Sequence, residues 1–343
     1  MIPVTHRVAI VGAGVSGLTC GVVFAERGHC TTIFAREIGQ QTTSAVAGAL
    51  WFPYDVEPAN KAVRWALQSY QTLIELARNA DTGVSMIDLL QLSRTEEIQI
   101  PEWAIPLGAR RVSSVATALR RRARGSHPKR LDTARRLQDF HSGFSLRVPL
   151  MDTTVYLDYL TNRFLKADGQ IVENVHLENL EGVDPKFDLV INCAGFGARE
   201  LSGDTDLEPH RGQVALVPKI DALPYAVVCD DAPLMYAIPR RNDCLFGGTN
   251  ELSDDLAVDP ETTAQIVAEC SRTLKIEKPN VLAERVGLRP FRKSGVRIEG
   301  AHLSDGRAVV HNYGHGGAGF TLSWGCARTV FDLVERTYVS AMH

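Results

Sequence analysis

Apolar residues are distributed along the chain in two different rhythms. Arg7–Val11 is a short run with almost no polar interruption, as in a strand buried on both faces. The stretch 18–28 is equally apolar but has helix length and ends at Gly28, which predicts a helix with a glycine C-cap. A second strand follows at Cys30–Phe34, similar runs return at 170–172, 188–195 and 308–312, and a helix is expected over 320–336. Elsewhere the rhythm changes. Residues 58–78 place Ala62, Trp65, Ala66, Tyr70, Leu73 and Leu76 at helical spacing, predicting an amphipathic helix. Residues 212–248 alternate apolar and polar positions between Pro224, Pro233 and Pro239, as antiparallel strands do, and 258–276 is helical again. The pattern predicts an α/β protein. A discontinuous Rossmann-like nucleotide-binding domain would comprise 1–55, 150–202 and 300–340, with a β-rich α+β substrate-binding domain from 56–149 and 203–299.

Between the first strand and its helix lies Gly12-Ala13-Gly14-Val15-Ser16-Gly17. In this position Gly12 permits a tight turn, Gly14 lets a pyrophosphate approach the backbone, and Gly17 lets helix and strand pack closely. The free N–H groups of the helix N-terminus then face the phosphates. Glu37 lies about twenty residues further on, where a carboxylate would bind ribose hydroxyls, and the adjacent Arg36 would suit a 2′-phosphate. From these residues alone NADP stays open.

Two further segments suit the same ligand. In the stretch 40–54, Thr42, Thr43 and Ser44 offer hydroxyls and Gly48 close approach, ahead of Ala49 and Leu50. Gly195 ends the strand at 188–195. Near the C-terminus, Gly314, Gly316, Gly317 and Gly319 separate the strand at 308–312 from a helix opening at Phe320 and Thr321. That copies the opening motif and aims another helix N-terminus at negative charge.

Composition narrows the function. A net charge of −3 gives no electrostatic reason to expect nucleic acid or a membrane, and no apolar run is long enough to span a bilayer. The seven cysteines include no CxxC pair, so neither a metal site nor a disulfide framework is expected, and a cytoplasmic location fits. The basic run at 120–136 has no aromatic interleaving and reads as a solvated surface segment or lid rather than a nucleic-acid site.

Several pieces of this chain resemble the flavin-dependent D-amino acid oxidase and D-aspartate oxidase family, D-amino acid oxidases most. They are the first glycine turn, Ala47-Gly48-Ala49-Leu50-Trp51-Phe52-Pro53-Tyr54, Ile191-Asn192-Cys193-Ala194-Gly195, Arg211-Gly212-Gln213, Tyr236-Ala237-Ile238-Pro239, Gly287-Leu288-Arg289-Pro290 with Arg297, and His311-Asn312-Tyr313-Gly314-His315-Gly316-Gly317. The resemblance implies FAD in place of NADP, with Glu37 on the ribose and Val175, Arg297 and the two glycine turns among the cofactor contacts. It implies that Arg297 grips a substrate carboxylate, that Tyr236 assists, and that the Gly317 carbonyl accepts from the substrate amine. Phe52, Tyr54 and Asn250 would line the pocket.

The implied reaction is oxidative deamination of a D-amino acid by hydride transfer from Cα to flavin N5. The products are a 2-oxo acid, ammonia and hydrogen peroxide, oxygen being the second substrate. None of the matched side chains is an acid or base. Phe52, Ala232 and Asn250 stand where relatives carry other residues, so no cation faces the expected side-chain wall and neutral substrates are expected, unless Arg292 or the 120–136 segment supplies one. A glycine, sarcosine or proline-type amine oxidase, a flavin dehydrogenase and a flavin-binding regulatory protein are the alternatives, and a homodimer is an open option for assembly.

Overall fold

The computed structural model describes residues 5–53, 56–112 and 140–340, with side chains to 336. In chain order the strands are β1 (Arg7–Val11), β2 (Cys30–Phe34), β3 (Val84–Ser93), β4 (Arg110–Arg111) and β5 (Ser142–Met151). Then come β6 (Gln170–Val172), β7 (Leu189–Asn192), β8 (Leu207–Pro218), β9 (Tyr225–Cys229) and β10 (Met235–Pro239). Last are β11 (Asp243–Gly247), β12 (Glu251–Leu252), β13 (Ala283–Arg292), β14 (Arg297–His302) and β15 (Ala308–Tyr313). The helices are α1 (Val15–Ala25), α2 (Thr43–Val46), α3 (Ala59–Leu76), α4 (Thr153–Lys166), α5 (Ala198–Leu201), α6 (Pro260–Leu274) and α7 (Gly319–Ser340).

The chain forms two compact units, the first from Met1–Ser85, Met151–His210 and Leu288–His343, the second from Met86–Leu150 and Arg211–Gly287. In the first unit the sheet order is β14-β15-β7-β1-β2-β6. β1 pairs in parallel with both β2 and β7, setting Ile10 opposite Ile33 and Ile191. All three are fully buried, which accounts for the unbroken apolar runs: both faces are covered. α1 packs against α4 and α7. It ends at Ala25, and Gly28 lies beyond it with φ +87°. Asp152 caps α4 by accepting from the Thr154 N–H at 3.2 Å, as an aspartate at a helix N-terminus can.

In the second unit β3, β5, β8, β9, β10 and β11 build the predicted strand platform. Cys244 and Phe246 alternate along β11 into a core shared with Ala237, Val227, Ile266 and Cys270. Asp259 caps α6 by accepting from the Glu261 and Thr262 N–H groups.

The boundaries differ from those expected. The helix predicted over 58–78 does not open the second domain; as α3 it belongs to the first unit and packs on α7. Gly325 is the reason. A Cβ there would lie 2.2 Å from the Trp65 carbonyl oxygen, so only glycine lets the helices approach so closely. The Gly325 N–H also donates to Ser69 Oγ at 2.9 Å, and Trp65 Nε1 donates to Thr329 Oγ1 at 2.9 Å. The other boundaries fall near 150, 210 and 287, the last two within β8 and β13. Gly325→Ala should therefore lower holoprotein stability by about 1–3 kcal/mol, measured by urea denaturation. An unchanged midpoint would show that the close approach is not needed.

Candidate functional site

In the first turn, Gly12 adopts φ +105°, and a Cβ on it would sit 2.5 Å from the Cys193 carbonyl oxygen. A Cβ on Gly17 would sit 1.9 Å from the Gly12 carbonyl oxygen. Backbone meets backbone at both places, so no other residue can be accommodated by a side-chain shift. Ala13 and Val15 are buried. Gly14 stays open except toward Ser44 Oγ, 3.0 Å from where a Cβ would stand, and that hydroxyl accepts the Val15 N–H at 3.0 Å. Ser44 thus lies at the α1 N-terminus. Its neighbours do not. Thr42 is buried and donates to the Gly39 carbonyl at 2.8 Å, within its own turn, while Thr43 is exposed.

Arg36 and Glu37 follow β2 as an exposed pair 3.6 Å apart. Ala35 joins that strand end to Val175, whose N–H donates to the Ala35 carbonyl at 3.0 Å. Gly195, at φ +59°, has open space where its Cβ would be. Gly48 and Leu50 are half-buried. Ala49 takes φ +46° and its carbonyl accepts the Met151 N–H at 3.1 Å. The open glycines and the exposed carboxylate along the ends of β1, β2 and β7 fit an extended dinucleotide such as FAD.

The second turn is tied to the first. Asn312, fully buried, donates from Nδ2 to Ser16 Oγ at 3.0 Å and to Cys20 Sγ at 3.2 Å. Its Oδ1 lies 3.1 Å from His315 Nε2, which must carry the proton because the amide oxygen only accepts. Ser16 is thereby turned inward. Burial alone depresses His315 to about 4; for His311 burial and then the Arg297 charge do the same, also to about 4. Both imidazoles are neutral near pH 7. Gly314 at φ +81° and Gly316 at φ +51° are buried, whereas Gly317 is exposed. Gly319 opens α7, Phe320 is buried, and Thr321 Oγ1 both accepts the Phe52 N–H (3.1 Å) and donates to the Phe52 carbonyl (3.0 Å).

Arg297 begins β14 directly opposite Tyr313, the last residue of β15. Its Nε donates to Glu299 at 2.5 Å and its Nη1 to the Tyr313 hydroxyl, so a surface pair with Glu299 exists beside a second, more buried anchor. The Tyr313 hydroxyl donates in turn to Asp204 Oδ2 at 2.8 Å, which also accepts Arg292 Nε at 2.9 Å. Burial opposes the charge on Asp204, but the hydrogen bonds from Arg292 and Tyr313 outweigh it and hold the carboxyl below its usual range. Sequence reasoning missed Tyr313 and Asp204. Tyr313 lies inside a motif already singled out, whereas nothing in the residues around Asp204 marks it.

In the second unit, the Tyr236 ring covers Gly247 and Gly248: a Cβ on either would come within 2.0 Å or 2.6 Å of the ring or hydroxyl. Asn250 is exposed beyond them. Tyr54 and the arginine-rich stretch 120–136 lie outside the described residues. Among the described residues no group of His, Cys, Asp and Glu could hold a metal, and no helix is long and apolar enough to cross a membrane.

The family described as FAD dependent oxidoreductase matches residues 7–333. A D-amino-acid oxidase of Streptomyces coelicolor is 39% identical over 334 residues, covering 96% of this chain and 97% of that protein. A human D-aspartate oxidase is 30% identical over 353 residues, with coverage of 96% and 95%. The solved structure of glycine oxidase from Geobacillus kaustophilus superposes with a TM-score of 0.75 at 19% identity, over 97% of this chain and 95% of that one, a likeness of fold.

The buried neutral imidazoles set an acid limit. With the ordinary value at 6.5 and the folded value of His315 about 4, the unfolded chain binds the extra proton between those pH values. Stability is complete above 6.5 and falls as the pH drops toward 4. His315→Gln retains a donor for Asn312 and should reduce this loss by on the order of 3 kcal/mol. Melting temperature against pH checks it; parallel profiles for the two proteins would contradict it.

Proposed function

Because this chain belongs to the FAD-dependent oxidoreductase family, we propose that it is a D-amino acid oxidase acting on neutral D-amino acids. The products would be the 2-oxo acid, ammonia and hydrogen peroxide. The observation that carries this reading is the placement of Arg297 opposite Tyr313, at the entry to the second glycine turn. Both N–H groups of its Nη2 are uncommitted among the described residues, and a guanidinium edge suits a carboxylate.

The first unit is the FAD-binding part of this proposal. Gly12, Gly14 and Gly17 with the α1 N-terminus would take the pyrophosphate and Glu37 the ribose; Ser44 would add a hydroxyl. The turn from Gly314 to Gly319, with Phe320 and Thr321, would face the isoalloxazine, where the α7 N-terminus favours negative charge. When bound, the flavin supplies the acceptor for the hydride leaving Cα and returns the electrons to oxygen. The chain itself binds and orients the substrate. Arg297 takes the carboxylate, and the exposed Gly317 offers its carbonyl to the amine. His311 and His315, weak bases buried and bonded inward, leave no general base among the described residues of this turn, consistent with positioning as the protein's contribution.

The preference for neutral side chains is supported by Arg292. Its Nε is bound to Asp204 at 2.9 Å and its Nη1 to the Gly295 carbonyl at 3.1 Å, so its charge is already matched. An unpaired carboxylate on the substrate side chain would cost several kcal/mol to bury. A cytoplasmic location belongs to the same proposal, supported by seven free cysteines. So does a homodimer, which the mass of the holoprotein in solution tests.

Two measurements test the proposal. Arg297→Ala should lower kcat/KM for D-alanine by about 2–5 kcal/mol, on the order of 30- to 5000-fold, with FAD retained; unchanged turnover would place the carboxylate elsewhere. In the wild type, kcat/KM for D-alanine, D-valine and D-methionine should exceed that for D-aspartate by orders of magnitude, and a preference for D-aspartate would overturn the assignment of neutral substrates.

A further inference from the structure

Arg297 is a long side chain on an edge strand, and a strand alone does not aim its head. Two hydrogen bonds do, on different nitrogens. Glu299, which takes Nε, has a side chain 55% exposed, so water and salt weaken its hold. The other anchor, the Tyr313 hydroxyl on Nη1, is buried and is itself fixed. Its proton goes to Asp204 Oδ2 at 2.8 Å, which leaves its lone pairs to accept from the guanidinium, with Ser202 Oγ 2.9 Å away. Asp204, 7% exposed, is clamped by Arg292 Nε at 2.9 Å and lies 3.6 Å from Arg297 Nη1.

We propose that Asp204 is a positioning residue for the substrate carboxylate, holding the Arg297 guanidinium through the Tyr313 hydroxyl so that its Nη2 edge keeps one direction. The inference rests on the reading of Arg297 as the carboxylate site. A planar group pinned at Nε and Nη1 cannot swing about its Cδ–Nε bond, and an oriented fork loses less entropy when a carboxylate arrives. Arg292 serves the array by keeping Asp204 ionised, its cation matching the anion at the same oxygen that accepts from Tyr313.

A simple charge argument predicts the opposite sign. Removing a carboxylate 3.6 Å from Arg297 would leave that cation less neutralised and should tighten the binding of any anion. Positioning predicts weaker binding. The sign of the change therefore decides between them.

The test uses the FAD-loaded protein and pyruvate, the 2-oxo acid that D-alanine would yield, its inhibition constant being measured against D-alanine. Asp204→Asn and Tyr313→Phe should each weaken pyruvate by about tenfold or more, raise KM for D-alanine by a similar factor, and leave the FAD dissociation constant unchanged. The double variant should be no weaker than the weaker single one, since the two groups act in series. Pyruvate binding in Asp204→Asn equal to or tighter than wild type, or additive losses in the double variant, would overturn the proposal. Should Asp204→Asn not fold, Tyr313→Phe decides alone, because it removes one oxygen and leaves the Asp204–Arg292 pair in place. Arg297→Ala separates the two levels. If it abolishes pyruvate binding while Tyr313→Phe does not alter it, only the positioning role falls; if Arg297→Ala binds pyruvate normally, the carboxylate reading falls with it.

Discussion

The structure depends on the approach of bare backbone to backbone beneath the first helix. Gly17 sits so close to the Gly12 carbonyl, and Gly12 to the Cys193 carbonyl, that a single added carbon has no room at either place. That contact brings the N-terminus of α1 over the ends of β1 and β7, where its N–H groups can meet a pyrophosphate without intervening side chains. The same constraint recurs between α3 and α7, where Gly325 meets the Trp65 carbonyl. Close helix packing on the back of the sheet and an open ligand edge at its end are thus two results of one device.

Alternation along β15 connects the cofactor side with the charge cluster. Asn312 points to the face covered by α1, where it reaches Ser16 and Cys20. Its neighbours His311 and Tyr313 point to the opposite face, with Arg297 and Glu299 from β14. One strand therefore carries, one residue apart, the amide that ties the two glycine turns together and the hydroxyl that anchors the proposed carboxylate fork.

Most of the first unit was legible in the residues, because strands buried on both faces leave runs that nothing else explains. β1, β2 and β7 lie where the apolar pattern puts them. The domain boundary was less legible. The apolar stripe of α3 shows that the helix buries one face but not against which partner, and that choice depends on Gly325, far along the chain. Side-chain roles divided in the same way. Ser44 could be read from its hydroxyl in a small-residue segment. Thr42 looked equivalent, yet bonds within its own turn. Asp204 gives no local signal at all, since its importance arises only when Arg292 and Tyr313 are folded onto it.

The central claim is that this fold holds a flavin which D-amino acids reduce, and absorption spectroscopy of the FAD-loaded protein under anaerobic conditions tests it most directly. Addition of D-alanine should bleach the oxidised flavin band within the turnover time, L-alanine should leave it unchanged, and admitted oxygen should restore it with hydrogen peroxide formed. A band unaffected by every neutral D-amino acid, or bleached equally by the L-enantiomers, would contradict the account.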